Sequence, residues 1–352
     1  MLSLTLKHSH AMLRTRSSAL VLLAVSILAL LTAHAQQPPD KGNEWKLSTA
    51  VGPAFALGAA GDHWAKLIGE RSGGKRAAKV YPGASLADRE PSREFFALAS
   101  GAADLAVGSS LFWSAQVPEL NVVGLPWIAP DAKALEALVS GAMKERLDAA
   151  IERAGAVPLA YAALGLRSLA TTASNVQKPD EIKGLKVRIG PAPLVADLFI
   201  ALGAEPKALT FADAQAALKT GTLDGQEGTL PTFAAARFDA LGVRHVLLWG
   251  ALGEVAVFAV NRAFWQHLSD TDQTIVREAA NEAAAELPAL IAAENDGALA
   301  ELRKRGVTLT RLTASGRAAF SFATRSAYDK WASVAGSDLV RAAEAAVAAT
   351  PQ

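Results

Sequence analysis

Cysteine is absent from the 352 residues of this chain, which excludes disulfides, thiolate zinc sites and cysteine nucleophiles. Histidine is scarce as well. After the first 35 residues only His63, His245 and His267 remain, and none of them belongs to an H-E-x-x-H pattern. No G-x-S-x-G elbow is present to provide a serine nucleophile. The sequence therefore predicts a protein that is not an enzyme.

One segment fits the G-x-x-x-x-G-K pattern of a phosphate loop, at residues 69–75. The next residue is Arg76, where such a loop requires a magnesium-binding Ser or Thr. The segment also ends a predicted helix, although a phosphate loop must open one. The glycines are better explained as a helix C-cap and turn, and we predict no nucleotide and no other cofactor.

The N-terminus has the composition of a secretory signal peptide. Lys7, Arg14 and Arg16 precede an apolar run at residues 19–31, and residues 33–35 supply a small-x-small cleavage pattern. The run is shorter than the roughly 20 residues that span a bilayer, and an uncleaved anchor is the alternative. The leader predicts export to the periplasm. No later stretch of the sequence is long and apolar enough to cross a membrane.

Charge is nearly balanced, with 35 basic and 34 acidic residues. All charged residues of the leader are basic, so the exported chain would be slightly acidic. Nothing in its composition indicates a nucleic-acid partner. The remaining chain is long enough for two domains, and it must be stabilised by its core alone.

Strand and helix patterns alternate along most of the chain. Strands are predicted at residues 45–50, 79–81, 104–108, 157–161, 185–189, 254–260 and 307–311. Caps of the S/T-x-x-D type open helices at Thr210 and Ser269, and the second of these helices runs to Arg305. The alternation predicts an α/β protein of two lobes built on parallel sheets. A ligand cleft is expected beyond the carboxyl ends of the strands.

Arg188 stands out as a candidate binding residue. It lies at the end of the predicted strand 185–189, just before Gly190 and Pro191, where side chains project at the mouth of a sheet. Its planar guanidinium can hold a carboxylate through two parallel hydrogen bonds. From position alone, a structural ion pair with an Asp or Glu explains this arginine equally well.

Several motifs, taken in order, resemble those of one known family. Residues 180–188 end in G-L-K-x-R, residues 202–206 read L-G-A-x-P, and residues 217–227 read A-L-x-x-G-x-x-D-G-Q-E. The upstream matches are Tyr81-Pro82, Leu86, Gly101 and the L-P-W turn at residues 125–127. Over residues 45–311 the chain resembles the extracytoplasmic solute-binding subunits of TRAP transporters, the DctP family.

The resemblance implies a type II periplasmic-binding-protein-like fold, in which two α/β lobes close over a ligand in a central cleft. We expect a signal peptide at residues 1–35 and lobe I at 36–160, with a return segment at about 258–310. Lobe II is expected at 161–257, and a C-terminal helical segment at 311–352 should pack across the lobes.

The resemblance also implies roles for individual residues. Arg188 is expected to contact the ligand carboxylate. Arg167 is expected to hold the other carboxylate oxygen, with a lobe-stabilising ion pair as its alternative. Phe211 aligns with a family aromatic residue that packs on the ligand. Glu227, which ends the D-G-Q-E segment, is a further ligand-binding candidate.

Three more positions shape the expected pocket. Gly228 stands where many family members carry an Asn that reaches the ligand, so a polar anchor is lost and space is gained. Ser109 stands where some sugar-acid binders carry an acidic residue. Trp249 lies near a plausible wall position, with a core position as its alternative. Together with an apolar loop at residues 50–58, these features favour a monocarboxylate with a fairly apolar body, such as a keto or aromatic acid.

The function implied by the resemblance is capture of an organic acid by hinge closure and delivery to the small and large membrane subunits of a TRAP-type transporter. We expect the binding protein to act as a monomer. The alternative is a periplasmic ligand sensor that presents the bound acid to a membrane receptor, since both roles need the same pocket. An enzyme on the same fold is disfavoured by the missing catalytic residues.

Overall fold

The structure is a computed structural model that describes residues 44–173 and 175–351, so the expected signal peptide lies outside the described residues. The strands are β1 (Glu44–Thr49), β2 (Ala77–Tyr81), β3 (Leu105–Ser109), β4 (Ala156–Leu166), β5 (Ser168–Thr171), β6 (Lys186–Ile189), β7 (Glu205–Ala208), β8 (Gly225–Gly228), β9 (His245–Leu248), β10 (Gly253–Asn261) and β11 (Thr308–Arg311).

The α-helices in the described part are α1 (Ala56–Arg71), α2 (Glu94–Ala99), α3 (Ser110–Trp113), α4 (Asn121–Gly124), α5 (Ala132–Ala137), α6 (Gly141–Arg153), α7 (Pro193–Ala201), α8 (Phe211–Lys219), α9 (Leu230–Ala235), α10 (Arg262–His267), α11 (Asp270–Lys304), α12 (Ala314–Ala323), α13 (Arg325–Ala335) and α14 (Ser337–Ala348). Short 3₁₀ turns lie at Ser85–Ala87, Pro91–Arg93, Pro118–Leu120, Pro179–Glu181 and Phe238–Leu241.

The strands form two sheets, one for each lobe. The sheet of lobe I has five strands in the order β2-β1-β3-β10-β4, and that of lobe II has six in the order β11-β9-β5-β8-β6-β7. Both sheets are mixed, because β10 runs antiparallel to β3 and β4, and β5 runs antiparallel to β8 and β9. Buried apolar side chains pack on both faces of each sheet. The predicted two-lobed α/β fold is confirmed, although its sheets are not purely parallel.

Strand β10 is the centre of lobe I. All nine of its residues are buried, since β3 pairs with one of its edges and β4 with the other. Val255 and Val257 enter one core, whereas Ala256 and Phe258 enter the core on the opposite face. An almost continuous apolar run is what a strand buried on both faces requires.

Two short segments connect the lobes, and they run side by side. Strand β4 leads directly into β5 with Arg167 between them, and residues 249–252 lead from β9 to β10. The amide of Arg167 donates to the carbonyl oxygen of Leu252 at 3.0 Å, which joins the two segments by a hydrogen bond. We call Arg167 and residues 249–252 the hinge.

The sheets divide the chain at different residues from those that the sequence predicts. Strand β4 continues past residue 161 to Leu166, because Ala162 and Ala163 keep pairing with β10. Strand β11, expected in the return segment of lobe I, pairs with β9 in lobe II instead. Lobe I therefore extends to Leu166 and resumes at Gly253.

The helix caps expected from the sequence are present. The Thr210 hydroxyl accepts a hydrogen bond from the Asp213 amide at 3.2 Å, and the Ser269 hydroxyl accepts one from the Asp272 amide at 3.1 Å. Each bond satisfies one of the amides that a helix N-terminus leaves without an intrahelical partner.

The G-x-x-x-x-G-K pattern lies at the end of a helix, as predicted. Helix α1 ends at Arg71, and Gly73 and Gly74 follow with φ angles of 61° and 77°. This left-handed region favours glycine because it has no Cβ. The segment is a helix terminus and turn, which confirms the interpretation of its glycines.

Helices bridge the two lobes. On α11, Ala280 packs in a core of lobe I, whereas Ala298 and Leu302 pack in a core of lobe II. Trp331 on α13 contacts cores of both lobes, and its Nε1 donates to Oδ2 of Asp197 on α7 at 2.7 Å. The prediction that C-terminal helices pack across the lobes is confirmed.

Glu94 is a buried carboxyl group at the start of α2. The Ser48 hydroxyl donates to its Oε1 at 2.8 Å, and Nε1 of Trp113 donates to its Oε2 at 3.2 Å. Burial raises the pKa of Glu94 from 4.5 to about 7, although both hydrogen bonds act in the opposite direction. Its ionisation therefore couples the stability of lobe I to pH.

We expect Glu94→Gln to remove this pH dependence. Between pH about 4.5 and about 7 the folded chain binds more protons at Glu94 than the unfolded chain, so wild-type stability falls as pH rises across this window. The neutral amide can donate to Ser48 and accept from Trp113. At pH 8 the variant should be more stable by about 1–3 kcal/mol, measured by urea unfolding. Equal pH slopes in both proteins would contradict this expectation, and Glu136→Gln on the exposed side of α5 is the control.

Candidate ligand-binding site

A buried network of charges lies at the hinge, with Arg167 at its centre. The guanidinium binds Glu227 of β8 through Nε and through Nη2, the latter at 2.9 Å, and Nη1 binds Oε2 of Glu254 on β10 at 2.6 Å. The three side chains are almost completely buried. The Ser109 hydroxyl donates to the other oxygen of Glu254. The network therefore connects the sheets of the two lobes.

The charge of Arg167 is fixed by these neighbours. Burial lowers the pKa of its guanidinium, but the charges of Glu227 and Glu254 more than offset this effect, and the net direction is upward. Arg167 thus has the ion pairs that its alternative interpretation expected. Its contact with a ligand stays a prediction.

Arg188 has a different environment. It is half-buried in β6, and its Nε donates to the carbonyl oxygen of Leu209 at 3.1 Å. No acceptor among residues 44–173 and 175–351 forms a hydrogen bond with its Nη1 or Nη2. Burial lowers the pKa of Arg188, Glu227 opposes this shift and Arg167 adds to it, but a guanidinium remains protonated at any physiological pH. Arg188 therefore presents a charged fork with both terminal nitrogens available.

Phe211 holds the Arg188 side chain from one side. Its ring centroid lies 5.9 Å from Cζ of Arg188, and its ring stacks on Phe238 at 6.4 Å. Phe211 is the first residue of α8, which begins where the Thr210 cap fixes the chain. The ring is 37% exposed, so its packing against a ligand stays a prediction. Its observed contact is a cation–π interaction that orients the guanidinium.

Gly228 does not create the extra space that the sequence indicates. It lies fully buried in β8, and a Cβ at this position would be only 3.1 Å from Cε1 of Phe233. Phe233 on α9 belongs to a core of lobe II and packs against Phe238. The volume beside Gly228 is therefore occupied by an aromatic ring, and the expectation of gained space is wrong.

Trp249 is placed in the core. It is 2% exposed and its ring contacts Trp127, Phe199 and Phe320 at centroid distances of 6.0, 5.6 and 5.9 Å. The structure thus gives Trp249 the core position that was its alternative. Its aromatic group supports the hinge segment that follows β9.

Ser109 lies at the end of β3 with 1% exposure. Its hydroxyl accepts from the Leu111 amide at 3.2 Å, which caps α3, while it donates to Glu254. Both hydrogen-bonding roles of the hydroxyl are therefore in use within the protein, and its contact with a ligand stays a prediction.

Sequence reasoning missed Glu254 as part of the site. The sequence presents it only as the first residue of a predicted apolar strand, whereas in the structure it pairs with both Arg167 and Ser109. The signal that was available is the residue type, because a carboxylate at the start of a fully apolar strand needs a partner. Its partners lie 87 and 145 residues away along the chain, so no local pattern names them.

Among the described residues, His63, Glu282 and Glu286 have ligand atoms within 4.8 Å of one another, as a metal site would require. They lie on α1 and α11, and Arg71 already forms an ion pair with Glu282. None of the three belongs to the hinge, which contains Arg167, or to β6, which carries Arg188.

Comparisons with known proteins agree with this architecture. A crystal structure of a TRAP periplasmic solute binding protein from Ralstonia eutropha H16, with bound (S)-2-acetolactate, is 40% identical, with a TM-score of 0.82 over 87% of this chain and 99% of that chain. A TRAP periplasmic solute binding protein from Roseobacter denitrificans, with bound β-D-glucuronate, is 25% identical, with a TM-score of 0.80 over 88% of this chain and 100% of that chain.

A curated relative gives the same result. The C4-dicarboxylate-binding periplasmic protein DctP from Rhodobacter capsulatus is 28% identical over 86% of this chain and 90% of its own length. These three relatives are named as binding proteins, which confirms the prediction that the chain is not an enzyme. No helix in the described part of the chain is both long and apolar enough to span a membrane.

The family model covers most of the chain, including the hinge and both arginines. It describes the bacterial extracellular solute-binding proteins, family 7, and it matches residues 47–334. The resemblance noted in the sequence is thereby confirmed: this chain belongs to the DctP family of bacterial extracellular solute-binding proteins.

Proposed function

We propose that this chain is the periplasmic binding subunit of a TRAP-type transporter and that it captures a small monocarboxylate through Arg188. The observation that carries the proposal is the pair of terminal guanidinium nitrogens on Arg188, which have no acceptor within the described chain. The side chain is oriented by Leu209 and Phe211, so its binding geometry is set before a ligand arrives.

A bidentate carboxylate on Arg188 is strong enough to matter. Charge-assisted hydrogen bonds contribute roughly 1.5–3 kcal/mol each, and micromolar affinity needs about 8 kcal/mol in total. Two such bonds therefore supply a large share of the affinity of a periplasmic binder. Burial of the remaining apolar surface of the ligand would supply most of the rest.

Charge counting favours one carboxylate in the ligand. Arg167 already pairs with Glu227 and Glu254, so its positive charge is more than neutralised. Among the described residues of this network, Arg188 is then the cation left for a solute. A second carboxylate near Glu227 and Glu254 would meet repulsion without a compensating partner.

The relatives support a short acid with an oxygen substituent next to the carboxylate. The Ralstonia protein, at 40% identity, was crystallised with (S)-2-acetolactate, whereas the glucuronate-bound Roseobacter protein is only 25% identical. We infer that the solute of this chain is a 2-hydroxy or 2-oxo monocarboxylate. The ring of Phe233 beside Gly228 leaves little room there for a longer polar body.

Capture would proceed by closure of the lobes. The hinge joins them at Arg167 and residues 249–252, while Arg188 lies in lobe II on β6. A ligand that contacts both lobes only in the closed form shifts the population toward closure. The closed form would then deliver the acid to the small and large membrane subunits.

Arg188→Ala should weaken acid binding at least tenfold while leaving the fold intact, because the terminal nitrogens of this arginine make no bond within the described protein. Arg188→Lys should bind with intermediate affinity, since an ammonium lacks the bidentate fork. Isothermal titration calorimetry and circular dichroism measure both effects. Arg311→Ala, on the exposed edge strand β11, is the matched control. Unchanged affinity in Arg188→Ala would refute the assignment.

Substitutions of the two arginines should have different effects on the free energy of unfolding. Arg167→Met leaves two buried carboxylates without their counter-charge, and we expect a loss of about 3–5 kcal/mol in unfolding free energy. Arg188→Ala should change the stability of the unliganded protein little. Urea unfolding of both variants makes the comparison. A fully stable Arg167→Met variant that no longer binds acids would instead show that Arg167 contacts the ligand.

The ligand class is tested by calorimetry with three kinds of acid. We expect 2-hydroxy-3-methylbutanoate or 2-oxo-3-methylbutanoate to bind at least tenfold more tightly than succinate, because Arg188 is the cation that the described network leaves for a carboxylate. The same preference is expected over glucuronate, because the ring of Phe233 beside Gly228 leaves little room for a longer polar body. With no response to the short branched acids, tight binding of succinate would overturn the proposal of a single carboxylate, and tight binding of glucuronate would overturn the proposal of a short acid.

A further inference from the structure

Gln226 is a buried polar side chain without hydrogen-bond partners in the part of the chain that the structure describes. It lies in the middle of β8 and is 1% exposed. Its Oε1 is fully enclosed and accepts no hydrogen bond. Nor does any acceptor among the described residues bond to its Nε2. Because nearly all buried polar groups in folded proteins are paired, an orphaned amide of this kind calls for an explanation.

The strand register places Gln226 beside Arg188. Gln226 pairs with Arg188 on β6 and with Ala170 on β5. Residues in register on neighbouring strands project from the same face, and such strands are about 4.8 Å apart. Ala170 is too short to reach the amide, so the polar neighbour of Gln226 on this face is the arginine that we propose as the carboxylate anchor.

Gly228 lies beside the amide nitrogen of Gln226. It projects from the same face as Gln226, two residues further along β8. A Cβ at Gly228 would lie 3.9 Å from Nε2 of Gln226, so any side chain there would pack over this nitrogen. The ring of Phe233, which offers no conventional acceptor, lies beside the same position. The amide is thus bordered by an arginine, two small residues and a phenyl ring.

We propose that the carboxamide of Gln226 binds the oxygen on the carbon next to the carboxylate of the bound acid. This inference rests on the proposed function of Arg188. An acid held by its carboxylate on Arg188 carries its 2-oxygen one carbon further along, within the reach of a neighbouring strand. Nε2 would donate to a 2-oxo or 2-hydroxy oxygen, and Oε1 would accept from a 2-hydroxyl. Gln226 then determines specificity for 2-oxygenated acids.

This specificity would arise because the unpaired amide of Gln226 already lowers the stability of the unliganded protein. An acid with a 2-oxygen pairs the amide on binding, whereas the same acid with hydrogen at this carbon leaves it unpaired. A site with buried polar groups discriminates against such an analogue far more strongly than an apolar pocket does. Replacing the amide by an apolar group of similar size should therefore abolish the discrimination without removing the carboxylate anchor.

The test compares two acids in wild type and Gln226→Leu by isothermal titration calorimetry. The probes are 2-hydroxy-3-methylbutanoate and 3-methylbutanoate, which differ only at the 2-oxygen. Wild type should prefer the hydroxy acid at least about tenfold, and Gln226→Leu should bind the two acids within about threefold of each other. A variant that keeps the wild-type preference would overturn the role of Gln226.

A second measurement separates a ligand contact from a structural role. Since leucine removes the orphaned amide, unliganded Gln226→Leu should unfold at a temperature higher than wild type by about 2 °C or more. A structural glutamine would give a lower temperature, and that result would also overturn the inference. Gln177→Leu, at a position whose amide bonds to Asn175 at 2.8 Å, is the control and should leave the preference unchanged.

Arg188→Ala distinguishes failure of this inference from failure of the proposed function. This substitution should reduce the binding affinity for both acids by the same factor, because both carry the carboxylate. If Arg188→Ala loses affinity but Gln226→Leu keeps the preference, only the role of Gln226 fails. If wild type binds neither acid, the proposed function fails and the role of Gln226 fails with it.

Discussion

The burial of one guanidinium at the hinge constrains the rest of this structure. Arg167 stands where β4 passes into β5, and removing its charge from water is favourable only if carboxylates surround it. They come from two other strands, Glu227 on β8 in lobe II and Glu254 on β10 in lobe I. Because the bonds to both are directional, they hold the ends of β4, β8 and β10 together at the hinge. The same requirement holds Ser109 in place at the end of β3.

This network also determines which arginine remains for a solute. Burial lowers the pKa of Arg188, and Glu227 lies close enough to oppose this shift. Both oxygens of Glu227, however, are already bound by Arg167. The carboxylate is therefore held away from Arg188, whose fork stays open. Without Arg167, Glu227 would be the nearest counter-charge for Arg188 and would compete with any incoming acid. The fork that we propose as the carboxylate anchor thus depends on the ion pair between Arg167 and Glu227.

The sequence predicts what is encoded locally. Thr210 and Ser269 fix helix starts through a hydroxyl three residues from its partner. The alternating apolar residues of β6 and the apolar run of β10 indicate strands, so these elements could be predicted directly. The signature ending at Glu227 named the family. The partners of Arg167 lie 60 and 87 residues away, and β8 (Gly225–Gly228) has no apolar alternation that identifies a strand. The contact between Phe233 and Gly228 is likewise tertiary. A glycine in the sequence does not reveal which residue occupies the space beside it.

Two polar groups on one face of the lobe II sheet are left without the partners that folding usually provides. Arg188 has open terminal nitrogens, and Gln226 beside it has an amide that bonds to nothing in the described chain. Pairing the amide of Gln226 internally would make the unliganded protein more stable, since an unsatisfied buried donor or acceptor costs about 1–3 kcal/mol. Such departures from local consistency are expected at functional sites, where stability is given up for activity. That both lie in register on adjacent strands indicates one ligand with two polar ends close together, a carboxylate and an oxygen on the adjoining carbon.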